Sequence, residues 1–359
     1  MISSQPAQSS AADGGLKTAS APNPFPARLE EAQRFLDAFA DRAARDFSAE
    51  MMAKNYAEGV MTYHPEPASL EAHRVETLCR KLVGSIFTAI ADLRGRAEGV
   101  FPLLLEYSRG SKNPLPIWFP EYLSAYQNYK HDRKLQNRHA TLKPYLKGES
   151  FCDVGCGGGD LVYYLKQHHP AFKVLAGIDI LDWRTAAIRD QIGFQELDFT
   201  KPGVKSRTRY DTVTCLAVLH HVGNTPAQLG TFIEGMGSAV APGGRAVVEE
   251  DVIISAAEAA VLGLTPQLEE AARTQPLLKK FVESGLEPQR DILRITDVLT
   301  NALSVGVPEM PFPCGFQTLC EWKATFEQHG FSVSDIKIKG FVRGNFNQSS
   351  HVWFILEKA

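Results

Sequence analysis

The hydrophobic pattern changes character once along the chain. From Leu29 to Glu58 apolar residues recur at three- and four-residue steps (Phe35, Phe39, Phe47, Met51), and a second such run joins Leu70, Leu78, Leu82, Ile86, Ile90 and Leu93. That period is helical. Three prolines make Lys112–Tyr122 a loop, and a third helix is expected from about Tyr122 to Leu146. After Ser150 short apolar runs alternate with helical patterns: FCDVG, LVYYLKQHH, VLAGIDI, WRTAAIRDQI, DTVTCLAVL, a helix through Phe232 and Met236, then AVVEEDVII. Such alternation predicts an α/β domain, a parallel sheet with helices on both faces. A mostly helical stretch, Ser255 to Pro313, interrupts it. The pattern resumes with a helix, FQTLCEWKATFEQHG, and two strands, FSVSDIKIKGFV and SSHVWFILEK. With no helix between them, these two strands must pair antiparallel. The expected organisation is a disordered tail (1–27), a helical N-terminal cap (28–147) and a sheet domain (148–359) with a helical insertion (255–313).

The tail is rich in Ser, Ala, Pro and Gly, and it cannot bury enough surface to offset its ordering entropy. Composition narrows the function further. A chain of 359 residues removes roughly 75% of its unfolded surface from water, so neither disulfides nor metals are needed to hold it together. Lys+Arg 38 against Asp+Glu 41 argues against a nucleic-acid partner, which would require clustered positive charge. No run approaches the ~18 apolar residues of a membrane span. The six cysteines are scattered, and the Cys152/Cys156 pair has no second pair at a zinc-ligand spacing. They read as reduced thiols, the N-terminus lacks a secretory pattern, and a cytoplasmic location is expected.

The sharpest local signal is Asp153-Val154-Gly155-Cys156-Gly157-Gly158-Gly159-Asp160, where the first strand meets the first helix. Glycines there allow a tight turn and close approach of backbone to a ligand, beside the free N–H groups of a helix start. The dinucleotide spacing G-x-G-x-x-G would need glycine at Asp160, which counts against a nicotinamide-dependent oxidoreductase.

The loop resembles the D/E-x-G-x-G-x-G motif of class I S-adenosylmethionine-dependent methyltransferases. The resemblance runs from Ser150 to Ala359. It includes Asp179 ending the second strand, Asp198-Phe199 after the third, Leu219-His220-His221 after the fourth, the turn Pro242-Gly243-Gly244 and the terminal hairpin. It implies a seven-stranded Rossmann-like sheet with a C-terminal antiparallel β-hairpin, S-adenosyl-L-methionine as cofactor and S-adenosyl-L-homocysteine as product. It also implies a cofactor site built from Asp153, Gly155, Gly157, Gly159, Asp179, Asp198, Phe199 and Leu219. Asp179 would bind the ribose diol, Asp198 the adenine amino group and Phe199 the adenine ring, while Asp153 would order the glycine loop. Each has a plainer alternative: helix cap, turn residue, core aromatic and strand-end carboxylate. Tyr129, Arg133 and Lys134 are weaker candidates for the methionyl carboxylate.

Catalysis is expected at the end of strand four. His220 aligns best with the histidine that small-molecule O-methyltransferases place there, with His221 second and pocket lining the alternative. Glu249, Glu250 and Asp251 end strand five, and buried carboxylates need partners. At least one, Glu250 in our assignment, should face the pocket and orient a histidine. No metal is expected. Cys215-Leu216-Ala217-Val218 stands where amino-directed nucleic-acid methyltransferases carry an N-P-P-Y-type tetrapeptide, which favours a small-molecule acceptor. The insertion and the N-terminal helices would form a lid over it, lined by Trp118, Phe119 and Met310–Pro313. The acceptor atom (O, N or C) stays open, as do a homodimer, a protein or RNA substrate, and a cofactor-binding regulatory or scaffolding role.

Overall fold

Parallel strands built from VLAGID, SFCDV, YDTVTCL and AVVEEDV need cover on both faces, and the two hydrophobic clusters of the computed structural model provide it. The structure describes residues 134–222, 225–274, 276–283, 285–286, 289–290, 293, 297, 315–340 and 350–358. The expected tail, the first two helices, the Lys112–Tyr122 loop, Trp118, Phe119 and Met310–Pro313 lie outside them.

Helix α1 (Leu135–Leu142) runs into a 3-10 turn (Lys143–Tyr145), ending where the third helix was expected to end. Then follow β1 (Ser150–Val154), α2 (Asp160–His168), β2 (Val174–Asp179), the single turn α3 (Ala186–Arg189), β3 (Gly193–Glu196) and β4 (Tyr210–Leu216). Next come α4 (Pro226–Ala239), β5 (Val240–Val252), α5 (Ala256–Val261), α6 (Thr265–Thr274), α7 (Pro276–Glu283), α8 (Leu319–Gln328), β6 (Phe331–Gly340) and β7 (Ser350–Lys358). The sheet has seven strands in the order β3-β2-β1-β4-β5-β7-β6. Strands β1 to β5 are parallel, and β7 runs antiparallel to both β5 and β6. The seven-stranded sheet and its antiparallel hairpin therefore hold.

Two of the sequence features take a different local form. The segment WRTAAIRDQI forms only one helical turn, because the Arg184 guanidinium donates to the carbonyls of Arg189 (3.2 Å) and Ile192 (2.8 Å) and closes the helix early. Pro242-Gly243-Gly244 is a bulge inside β5, between the pairs Tyr210–Val240 and Thr212–Arg245.

Side chains alternate across the sheet, and this alternation positions the site. On β5, Ala246, Val248 and Val252 join the core under α4 and α8, with Phe232, Met236, Trp322 and Phe326. Val247 points the other way, into the core under α1 and α2 with Leu142, Leu161 and Leu165. Glu250 shares the first parity; Glu249 and Asp251 share the second. Helix α8 begins at a capping box: the Glu321 N–H donates to Thr318 Oγ1 (3.2 Å), and Glu321 Oε2 accepts from the Thr318 N–H (2.8 Å).

The insertion leaves the sheet after Ile253 and returns at Thr318, and these two residues form a parallel bridge in which the Ile253 N–H donates to Gln317 O at 3.0 Å. Ile253, Leu278, Phe281, Leu293 and Phe316 make a separate small core beside that bridge.

Candidate cofactor and acceptor site

The glycine loop turns at the carboxyl end of β1, and it stays narrow for two different reasons. Gly155 has φ 71°, and a Cβ added there would meet Val218 Cγ2 at 2.5 Å, so this glycine lets the loop touch the segment after β4. Gly157 has φ 51°, and a Cβ there would meet no described residue beyond its chain neighbours within 4 Å. Its missing side chain opens on free space. The Gly157 N–H donates to Asp179 Oδ2 (2.8 Å) and the Ile180 N–H to Asp179 Oδ1 (2.7 Å). Asp179 therefore closes the loop from the neighbouring strand tip, and burial raises its carboxyl against the pull of these N–H groups. It caps no helix: α3 starts at Ala186 with Thr185 before it, and Asp182 pairs with Arg184 (2.8 Å) and Arg189 (3.2 Å). Gly159 precedes α2, with Asp160 as that helix's first residue. A backbone loop with open space above Gly157 and a carboxylate beside it fits the donor expected from the sequence: backbone room and an acceptor for a diol, without a phosphate site.

Asp153 lies inside β1, is 6% exposed and accepts from Thr214 Oγ1 at 2.6 Å. Burial pushes its carboxyl up to about 6, only partly offset by the Thr214 hydroxyl and the Arg138 guanidinium. Because the folded value lies above the unfolded one, this group favours the fold below the unfolded pKa of about 3.9, and that advantage is lost as pH rises through about 6. Asp153→Asn keeps an acceptor for Thr214 and removes the ionisation. Urea unfolding at about pH 4 and about pH 7.5 should show the difference between variant and parent move in the variant's favour by roughly 2–3 kcal/mol on going to the higher pH. A difference independent of pH would contradict the assignment.

After β4 the chain turns sharply. Ala217 adopts φ 59°, left-handed for a residue with a Cβ, and its N–H donates to Glu249 O at 2.7 Å. This kink starts the 3-10 turn Leu219–His221. Glu250, fully buried, holds that turn: Oε1 accepts from the N–H groups of Val218 (3.1 Å) and Leu219 (2.6 Å), and Oε2 faces His220 Nδ1 at 2.5 Å. On the other side Asp297, from the insertion, places Oδ1 3.3 Å from His220 Nε2 and Oδ2 3.4 Å from His221 Nε2. Phe316 stacks on the His220 ring (centroids 4.9 Å apart, planes at 14°).

Burial alone would lower the His220 imidazole, but Glu250 and then Asp297 drive it well above its ordinary value. Burial would raise the Asp297 carboxyl, but His221 and then His220 hold it far below the usual range. His220 has both nitrogens facing carboxylates and is 2% exposed. The expected orientation by Glu250 is present. The other two acids have partners on the opposite face: Arg138 Nη2 lies 3.2 Å from Glu249 Oε2, and His351 Nδ1 lies 2.6 Å from Asp251 Oδ1.

Three sequence-predicted cofactor contacts sit differently from expectation. Phe199 is 1% exposed, packs edge-on against Phe232 and fills the space beside Gly235, so its ring offers no face for an adenine to stack on. The aromatic is there for the core. Leu219 is also core, and its backbone N–H is committed to Glu250. Asp198 closes a local turn, accepting from the Thr200 N–H (3.0 Å) and hydroxyl (2.5 Å), with Lys201 Nζ 3.3 Å from its other oxygen.

Of the helix residues before β1, Tyr129 and Arg133 lie outside the described residues and Lys134 precedes α1. Arg138, one turn further on, is the one that approaches Asp153 and Glu249. Ile180, Leu181 and Trp183 were not anticipated: each is about half exposed (51%, 46% and 52%) immediately past Asp179. The signal for them was their place after the acidic end of a parallel strand, where ligands of such sheets bind.

Comparison with known proteins agrees with this geometry. Residues 126–274 match the family described as "Methyltransferase domain". No curated protein matches the sequence. Similar solved structures include magnesium protoporphyrin IX methyltransferase from Synechocystis PCC 6803 with bound S-adenosylhomocysteine (19% identity, 76% of this chain and 99% of that one, TM-score 0.37). Another is an S-adenosylmethionine-dependent methyltransferase from Clostridium acetobutylicum ATCC 824 (10% identity, 69% and 98% covered, TM-score 0.39). Likenesses this distant carry no argument about the acceptor. Among the described residues no helix is long and apolar enough to cross a membrane. Residues 126–274 thus match a methyltransferase domain, and the strand order and the Gly157–Asp179 loop agree with that match.

Proposed function

We propose that the protein transfers the methyl group of S-adenosylmethionine to an O, N or C nucleophile of a small molecule, as a step of specialised biosynthesis in the cytoplasm. The observation that carries this reading is the placement of the insertion. Asp297, Phe316 and the small core around Phe281 lie against the turn after β4, at the carboxyl edge where an acceptor must meet the methyl group. A covered edge suits a metabolite, whereas a protein or RNA acceptor requires an open groove.

When bound, the cofactor supplies an electrophilic methyl on a sulfonium; the acceptor–carbon bond forms as the carbon–sulfur bond breaks. Gly157 and Asp179 hold the donor end, and the buried Asp153 beside them makes this end of the sheet favour a cation over the neutral thioether product. The turn from Ala217 to His221 forms the wall between donor and acceptor. With His220 clamped between Glu250 and Asp297, its part is to position the acceptor and exclude water, and rate comes from alignment at near-attack distance.

The test is transfer itself. Full-length protein is incubated with methyl-labelled S-adenosylmethionine and a cell extract, and the products are split by ultrafiltration. Label should enter the low-mass filtrate. Label confined to protein or RNA would overturn the small-molecule reading. Tight S-adenosylhomocysteine binding with no label in any fraction would favour the regulatory or scaffolding role instead.

A further inference from the structure

We infer that His220, His221 and Asp297 form a binding site for one divalent first-row transition cation of the zinc or cobalt type, fastening the insertion to the end of β4. The three residues come from two elements far apart in sequence, all are buried, and their ligand atoms lie within 4.8 Å of one another. Two imidazole nitrogens with one carboxylate suit such a cation, whereas magnesium and calcium take all-oxygen sets.

Distances give the stronger argument. His220 approaches Glu250 at 2.5 Å on its Nδ1 side, a short charge-assisted contact. On its Nε2 side the carboxylate stands off at 3.3 Å, and the His221 Nε2 contact is 3.4 Å. A direct ionic hydrogen bond would close to about 2.7–2.9 Å. A tetrahedral cation with bonds of about 2.0–2.2 Å instead sets its ligand atoms roughly 3.3–3.5 Å apart. The two wide contacts run to different oxygens of Asp297, Oδ1 for His220 and Oδ2 for His221, so the three donors face one space and would draw together on a bound cation. Both rings turn towards that point, with centroids 4.2 Å apart.

Glu250 completes the pattern. A carboxylate on the far nitrogen of a ligating histidine fixes its tautomer and strengthens the near nitrogen as a donor, a usual accompaniment of bound metal. The expectation of no metal rests on the absence of a fixed-spacing motif, and the set weighed from the sequence joins His220 to Glu249, Glu250 and Asp251 rather than to Asp297. Only the fold brings it there.

Binding is read without cofactor, acceptor or turnover, so it stands or falls apart from the methyl-transfer proposal. Chelator-treated full-length protein is titrated with Co2+, following the visible bands of nitrogen-ligated cobalt, then challenged with Zn2+. One equivalent should bind, zinc should displace it, and either ion should raise the melting temperature. Asp297→Asn and His221→Ala should each weaken cobalt binding at least about 10-fold. If one variant fails to fold, the parent's stoichiometry and spectrum together with the other variant decide. Absence of cobalt bands with no shift in melting temperature at millimolar metal overturns the inference. So does one-equivalent binding that both variants retain.

Discussion

Gly157→Ala is expected to lower the affinity for S-adenosylmethionine by on the order of 100-fold or more while the protein stays folded. The two effects separate because of what surrounds this glycine. An alanine at φ 51° costs about 1–2 kcal/mol of backbone strain, well within an ordinary stability of about 5–15 kcal/mol. Among the described residues no atom beyond its chain neighbours lies within 4 Å of the new methyl group, so their packing is not disturbed. The methyl projects into the space that the donor requires, beside the N–H that Asp179 holds. A loss of about 2.7 kcal/mol in binding corresponds to the 100-fold change. Gly155→Ala is the contrasting variant: its Cβ would lie 2.5 Å from Val218, so stability should fall together with binding. Calorimetric titration with S-adenosylhomocysteine, paired with urea unfolding of both variants, separates the cases. Retention of binding within about threefold in Gly157→Ala would mean that the donor does not lie over this loop.

Glu250→Ala should be the most damaging single change to stability, about 3–5 kcal/mol. The carboxylate is fully buried and serves three donors at once: two backbone N–H groups of the turn after β4 and the ring of His220. Removing it orphans all three in the core and leaves His220 with only Asp297. Glu250→Gln keeps an acceptor for the Val218 and Leu219 N–H groups and should recover more than half of that loss. Measured by urea or thermal unfolding, near-equal stability of the alanine variant and the parent would show that the turn is held by its backbone alone.

The parts of this site that could be read from the sequence are those fixed by local rules. Gly155, Gly157 and Gly159 at a strand–helix junction, with an acid at the tip of the next strand, announce a close backbone approach. Two strands without an intervening helix can only pair antiparallel, as β6 and β7 do. Three acids in succession at the end of a buried strand demanded partners, and each has one, Glu250 on one face and Glu249 and Asp251 on the other. What could not be read depends on tertiary closure. Asp297 gives no periodic signal, and its meeting with His220 is set by the path of the whole insertion. That contact sets a second carboxylate on the ring nitrogen opposite Glu250. An aromatic such as Phe199 after an acidic turn residue looks the same in sequence whether it faces a ligand or, as here, the helix bearing Phe232 and Gly235.

The bridge between Ile253 and Thr318 has a consequence for how such a protein diversifies. The chain leaves and re-enters the sheet domain at two hydrogen-bonded neighbours, so everything between them is a closed excursion whose ends are already fixed. Closure entropy rises only with the logarithm of loop length, about 0.6 kcal/mol for each doubling. The excursion can therefore lengthen, shorten or be exchanged for another over evolutionary time with little penalty to the sheet. The donor half of the site, on β1 and β2, is insulated from such exchanges. Acceptor preference is in this sense a separable cassette, which meets the turn after β4 through the carboxylate of Asp297 against the two histidines and the Phe316 ring on His220.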